Sequence, residues 1–191
     1  MLQTAYSPRA GSRFIPAGNT ARLPRLIIKA NNKQVMLQLH VPLQKGEGGT
    51  QVVLNNTFSA QLGIRSEKMF AVIQEMIVWI ENHLCSPLSV KEISRKSGYS
   101  VWHLQRTFSQ LTGFSVYEFV RTRRVINVIF ALIYGNKPLL DIALENGFNC
   151  QVSLTRTIKE FTGYTPGYIR KNFLMNEIWL MENLERLISR K

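Results

Sequence analysis

The spacing of apolar and polar positions changes twice along this chain and divides it into three parts. Over residues 1–68 no helical period holds, because Ser7-Pro8, Pro16-Ala17-Gly18-Asn19 and Gly46-Glu47-Gly48-Gly49 interrupt it. Two short apolar runs there read as strands. One is Leu26-Ile27-Ile28; the other is Val35 to Val41, where Val35, Leu37, Leu39 and Val41 alternate with Met36, Gln38 and His40. A further short strand fits Gln51–Leu54. The segment is expected as a partly ordered or disordered extension, or as a small hairpin packed on the rest, with Met69 as an alternative natural beginning.

From Met69 the period becomes helical. Val72, Met76, Trp79, Ile80 and Leu84 fall on one face of a helix that closes before Pro87. Ser89-Val90-Lys91-Glu92 reads as a capping box opening a short helix, with Val90 and Ile93 inward, that ends at Gly98. Ser100 then caps a helix bearing Val101, Leu104, Phe108 and Leu111, stopped by Thr112-Gly113. After a long helix, roughly Val116 to Tyr134, the same grammar returns. Pro138 opens a helix with Leu139, Leu140, Ile142, Ala143 and Leu144 that stops near Gly147. Asn149 is expected to cap a helix carrying Leu154 and Ile158 and ending before Gly163.

Val90, Ile93, Gly98, Tyr99 and Ser100 match Leu139, Ile142, Gly147, Phe148 and Asn149 at an offset of 49. Leu104, Arg106, Phe108, Thr112, Gly113 and Phe114 match Leu154, Arg156, Ile158, Thr162, Gly163 and Tyr164 at an offset of 50, so one residue is inserted in or beside the second turn. Helix, glycine turn and capped helix is helix-turn-helix grammar. The expected fold is therefore all-α: a seven-helix domain over residues 69–171, with two helix-turn-helix subdomains joined by a long helix. It is preceded by the extension 1–68 and followed over 172–191 by an amphipathic helix with Leu180, Leu184, Leu187 and Ile188 on one face.

Charge narrows the partners. The net charge is +12, which favours polyanions, yet residues 69–171 hold only twelve Lys/Arg against seven acidic residues, so placement must carry the argument. Cys85 and Cys150 have neither disulfide-scaffold nor zinc-site spacing and fit a reducing cytoplasm. No stretch approaches 20 apolar residues, so a cytoplasmic protein without a membrane partner is expected. His40, His83 and His103 stand apart from any acid or nucleophile, and no phosphate-binding glycine loop or metal-ligand cluster is present, so neither an enzyme nor a cofactor is expected.

In the first proposed recognition helix, Trp102, Gln105 and Arg106 share a face opposite Leu104 and Phe108. Arg suits guanine O6/N7, Gln suits adenine, and Trp offers apolar contact to a thymine methyl or sugar edge. The second offers Gln151, Val152, Ser153, Thr155 and Arg156. Phosphate contacts are expected from Arg121 and Arg124 on the linking helix, with Lys91, Lys96, Arg170 and Lys171 as further candidates; three exposed arginines, Arg121, Arg123 and Arg124, equally describe a solvated face.

The run from Gly98 to Phe108 (GYSVWHLQRTF) resembles the DNA-binding domain of the AraC/XylS family of bacterial transcription regulators, especially its small activators of antibiotic resistance and superoxide response. Asp141-Ile142-Ala143-Leu144, Gly147-Phe148, Leu154-Thr155-Arg156 and the run Thr162 to Arg170 (TGYTPGYIR) carry the same resemblance, which covers about 100 of the 191 residues. It implies seven helices and base contacts by the two sets of residues above. It also implies a monomer that activates stress-response promoters through RNA polymerase, binding double-stranded promoter DNA in the nucleoid. Val152 and Cys150 replace a glutamine and a serine common in that subgroup. Ile129, Phe130, Leu132 and Ile133 make the linking helix unusually apolar, a face that needs a cover. A repressor, or a protein-interaction module, are the alternative readings.

Overall fold

The computed structural model describes residues 23–31, 34–43, 51–59 and 64–189. Three strands, β1 (Arg25–Asn31), β2 (Gln34–Pro42) and β3 (Gln51–Ser59), form an antiparallel sheet in the order β1-β2-β3. Among the described residues eight helices follow: α1 (Ile64–Asn82), α2 (Val90–Ser97), α3 (Val101–Thr112), α4 (Val116–Tyr134), α5 (Leu139–Glu145), α6 (Gln151–Thr162), α7 (Pro166–Asn172) and α8 (Glu177–Ser189). The all-α expectation is thus corrected: the chain is mostly helical but carries a small sheet ahead of its helices.

Period-two alternation explains why the sheet is held. Leu26 and Ile28 of β1 and Val35, Leu37, Leu39 and Val41 of β2 are buried, whereas Ile27, Met36, Gln38 and His40 lie on the other face, partly covered. The register pairs Leu26 with Leu39 and Ile28 with Leu37, so both strands present one apolar face. Each of these six side chains contributes about 1.5–3 kcal/mol by leaving water, provided that something covers them. The cover is helical: β1 packs on α1, β2 on α3 and β3 on α8, and the buried residues of sheet and helices form one continuous core.

The long helix α4 is the centre of that core. From Val125 to Ile133 every residue except Ala131 is buried. The unusually apolar face of α4 finds its cover in α7 and α8. Leu180, Leu184, Leu187 and Ile188 of α8 turn inward, Met175 N donates to Ile133 O at 3.2 Å, and Tyr134 Oη lies 2.9 Å from Glu177. Stacked rings lock this end: Tyr164 on Tyr168, and Phe173 on Trp179 at 4.3 Å between centroids.

Local signals set the helix ends. Ser89, Ser100, Ser115 and Thr165 each accept an N–H of the first turn with the side-chain oxygen, and the reciprocal capping box, expected at Ser89 and Glu92, is completed at Ser115 and Glu118. One expectation is displaced. Cys150, not Asn149, occupies the N-cap of α6. Ser100 therefore corresponds to Cys150 at an offset of 50, which confines the inserted residue to the stretch just after Phe148. The duplicated ends are alike in detail. Thr112 Oγ1 donates to Phe108 O at 2.7 Å and accepts from Phe114 N at 3.1 Å; Thr162 Oγ1 donates to Ile158 O at 2.8 Å and accepts from Tyr164 N at 3.1 Å. Each threonine is followed by a glycine in the left-handed region.

Candidate nucleic-acid interface

Helices α3 and α6 each bury one apolar face and leave another exposed. Leu104 and Phe108 hold α3 in the core, and Leu154 and Ile158 hold α6. Opposite these anchors, positions related by 50 residues fall on the free faces. Trp102 corresponds to Val152, and these are 67% and 76% exposed, a cost in apolar surface that packing does not explain. Arg106 and Arg156 are both exposed, Gln105 and Thr155 are half-buried beside them, and Gln151 is exposed while Ser153 is half-buried. The eight base-contact candidates thus lie at matching turns of two helices.

The first face is partly pre-shaped. The Arg106 guanidinium lies over the Trp102 ring, 5.3 Å from its centroid, one helical turn away. That contact restrains a long side chain while leaving its donors free. On α6, Ser153 Oγ donates to Cys150 O at 2.8 Å, so this hydroxyl is already engaged at the helix start. Val152, having no ring, offers Arg156 no equivalent platform.

The arginines of α4 are placed differently from expectation. Arg121 forms a two-armed pair with Glu160 of α6, its Nη1 at 2.8 Å from Oε1, and lies 4.9 Å over the Phe161 ring. The paired Glu160 raises the Arg121 value, and Arg121 in turn holds the Glu160 carboxyl below the usual carboxylate range. Arg124 is half-buried and donates to Leu84 O at 2.9 Å and Ser86 O at 2.8 Å, at the end of α1; burial pushes its guanidinium down from its ordinary value. Arg123 is not part of a solvated face: it is 1% exposed and bonded to both Glu81 oxygens, Pro24 O and Asn127. Arg121, Arg123 and Arg124 leave the helix on three sides, and each side here meets protein. Because the lowered Glu160 value depends on Arg121, the pair's contribution is present above the ordinary carboxylate range and lost as pH falls through the lower folded value. In Arg121→Ala the Glu160 titration followed by NMR is expected to move upward; an unmoved titration would remove Arg121 as the cause.

The other basic candidates are freer. Lys91, Lys96 and Lys171 are exposed, while Arg170 places one guanidinium nitrogen 2.6 Å from Lys137 O. Among the described residues no group of three or more His, Cys, Asp or Glu is placed to hold a metal, and no helix is long and apolar enough to cross a membrane.

The helix-turn-helix domain family matches residues 84–172. The chain is 39% identical over 105 residues to the multiple antibiotic resistance protein MarA of Escherichia coli K12, a match covering 55% of this chain and 83% of MarA. The chain belongs to the AraC/XylS family of transcription regulators. It is also 39% identical over 101 residues to the right origin-binding protein of the same organism, but spans only 35% of that protein's length and 53% of its own. Two solved structures share the fold: the C-terminal domain of AraT from Geobacillus stearothermophilus and the DNA-binding domain of AdpA in complex with a target DNA. AraT has a TM-score of 0.53 at 20% identity, covering 56% of this chain and 88% of AraT. AdpA has a TM-score of 0.50 at 23% identity, covering 52% and 89%. The match to the helix-turn-helix domain family begins at Leu84, just after α1 and after the sheet.

Two features escaped the sequence reading. Tyr117, 65% exposed on α4, stands near Arg121 and Arg124 and lines the space between the two helix pairs. The Arg121–Glu160 pair joins residues 39 apart in sequence, a separation that no local period reveals.

Proposed function

We propose that this chain is a sequence-specific transcription activator that binds double-stranded promoter DNA as a monomer, α2–α3 and α5–α6 acting as two helix-turn-helix units on adjacent major-groove segments. The observation that carries the reading is the correspondence of Trp102 and Arg106 with Val152 and Arg156 on two helices anchored alike and joined through α4. Nineteen residues of α4 span about 28 Å at 1.5 Å per residue, comparable with one turn of DNA. Residues 69–171 form the reading domain, with the sheet β1–β3 and α8 bracing it. Because the faces differ, the site read is asymmetric.

Base contacts are assigned to Trp102, Gln105 and Arg106 on the first helix and to Gln151, Val152, Ser153, Thr155 and Arg156 on the second. Phosphate contacts fall to Lys91, Lys96, Arg170 and Lys171, whereas Arg121 and Arg124 act chiefly by holding the units in place. RNA polymerase is the partner through which binding becomes activation, as for regulators of antibiotic resistance and stress response, in the bacterial cytoplasm on the nucleoid.

Genome-wide binding coupled to transcript measurement is expected to return a recurring two-part motif at promoters whose output rises. A fall in output at occupied promoters would make the protein a repressor, and enrichment without a motif would end the reading. In vitro, Arg106→Ala is expected to lose about 1–3 kcal/mol of discrimination at one end of the motif. Lys96→Ala is expected to weaken all sequences alike and to reduce the salt slope by about one. Equal losses on specific and random DNA for both variants would contradict this division.

A further inference from the structure

A cleft of about 310 Å³ opens between the two helix pairs, within the size range of small-ligand pockets. Its apolar wall comes from all three neighbours: Leu88, Val90 and Ile93 from the first unit, Val116 and Val120 from α4, and Phe148 from the second unit. Its polar side holds Arg121, Arg124, Asn149 and Ser153. Among the described residues no carboxylate lines it.

Arg121 is neutralised by Glu160 on α6. Arg124 is not neutralised in this way. Among the described residues its hydrogen-bond partners are two carbonyl oxygens, of Leu84 and Ser86, which carry no compensating charge. A half-buried guanidinium with neutral partners, facing a cleft with an aliphatic wall, calls for a single negative charge and a water-excluding body at once.

We propose that this cleft binds a small organic carboxylate with a compact apolar body, its charge toward Arg124 and its body against Val90, Val120 and Phe148. A hydrated phosphate satisfies the charge but leaves the apolar wall wet, and a neutral hydrocarbon leaves the charge uncompensated. The occupant touches both units and reaches Ser153 at the start of α6. Its binding is therefore coupled to DNA binding, and each changes the affinity for the other by the same factor. The site itself is independent of the DNA reading, since its occupancy is measured without DNA.

The test uses the full chain, isotope-labelled and free of DNA, titrated with cyclohexanecarboxylate, with cyclohexylmethanol as the uncharged body and with inorganic phosphate as the charge alone. The carboxylate is expected to give saturable NMR shifts centred on Val90, Val120 and Phe148. The alcohol is expected to bind about tenfold more weakly, the worth of one modest charge-assisted hydrogen bond, and phosphate to give no saturation over the same range. Asn149 lines the cleft and is exposed, so Asn149→Asp and Asn149→Lys leave the fold intact; they should weaken and tighten the carboxylate respectively. Equal binding of the alcohol overturns the charge assignment. Phosphate binding as well as the carboxylate reduces the cleft to a contact for the DNA backbone. Shifts absent, unsaturable or centred elsewhere, or indifferent to both Asn149 variants, overturn the site.

Discussion

Replacing Gly147 by alanine is expected to destabilise the protein far more than the same change at Gly98, although the two glycines follow corresponding helices and share a φ of +73°. The conformational cost of a Cβ in the left-handed region is common to both, about 1–2 kcal/mol. What differs is space. A Cβ at Gly98 meets nothing within 4 Å, whereas at Gly147 it falls 2.6 Å from Leu84 O and 2.7 Å from the Arg124 guanidinium. That guanidinium is fixed by its bonds to Leu84 O and Ser86 O, so neither obstacle can retreat without breaking the contact between α4 and the end of α1. Overpacking of this kind adds about 1–3 kcal/mol. In urea unfolding Gly147→Ala should therefore lose about 2–5 kcal/mol in total, and Gly98→Ala about 1–2 kcal/mol. Equal shifts of the midpoint would mean that the close approach of the second turn to α1 is not rigid.

The second large effect is expected at Arg123. This side chain sits in the core with one carboxylate, one backbone carbonyl and one amide oxygen around it, and links α4 to α1 and to the residue preceding β1. Arg123→Met removes the charge but leaves Glu81, only 12% exposed, without its partner, and breaking a buried pair from one side costs about 3–5 kcal/mol. The double variant Arg123→Met, Glu81→Met should recover most of that loss, because two apolar side chains need no desolvation. Recovery will be incomplete at β1, where Pro24 O has lost its donor; amide exchange over residues 25–31 should stay faster than in the parent chain. A double variant as unstable as the single one would assign the cost to packing rather than to stranded charge.

The exposed faces of α3 and α6 were legible because helical periodicity is local. Once Leu104, Phe108, Leu154 and Ile158 are assigned inward, the positions of Trp102, Arg106, Val152 and Arg156 on the opposite side follow from 3.6 residues per turn. The arginines of α4 were not legible. Periodicity gives the angle at which each leaves the helix, but Glu160, Glu81 and the carbonyls of Leu84 and Ser86 reach them only through the packing of α6 and α1. The Cys150 N-cap was misplaced by one residue because Asn149 is the better capping residue in isolation, while the true start of α6 is set by where Leu154 must enter the core.

What the sequence by itself determined is the alternating face of β2, the capped helices and their repetition, the two threonine–glycine ends and the family to which they belong. Each depends on neighbours within about one or two turns, where side-chain direction and hydrogen bonding are dictated by the chain itself. Only the tertiary structure decided what covers α4, where the sheet docks, which arginines are spent on holding the units together, and that a cleft lined by Arg124 lies between them. These depend on residues 38 to 99 positions apart meeting in space, and no period along the chain encodes such a meeting.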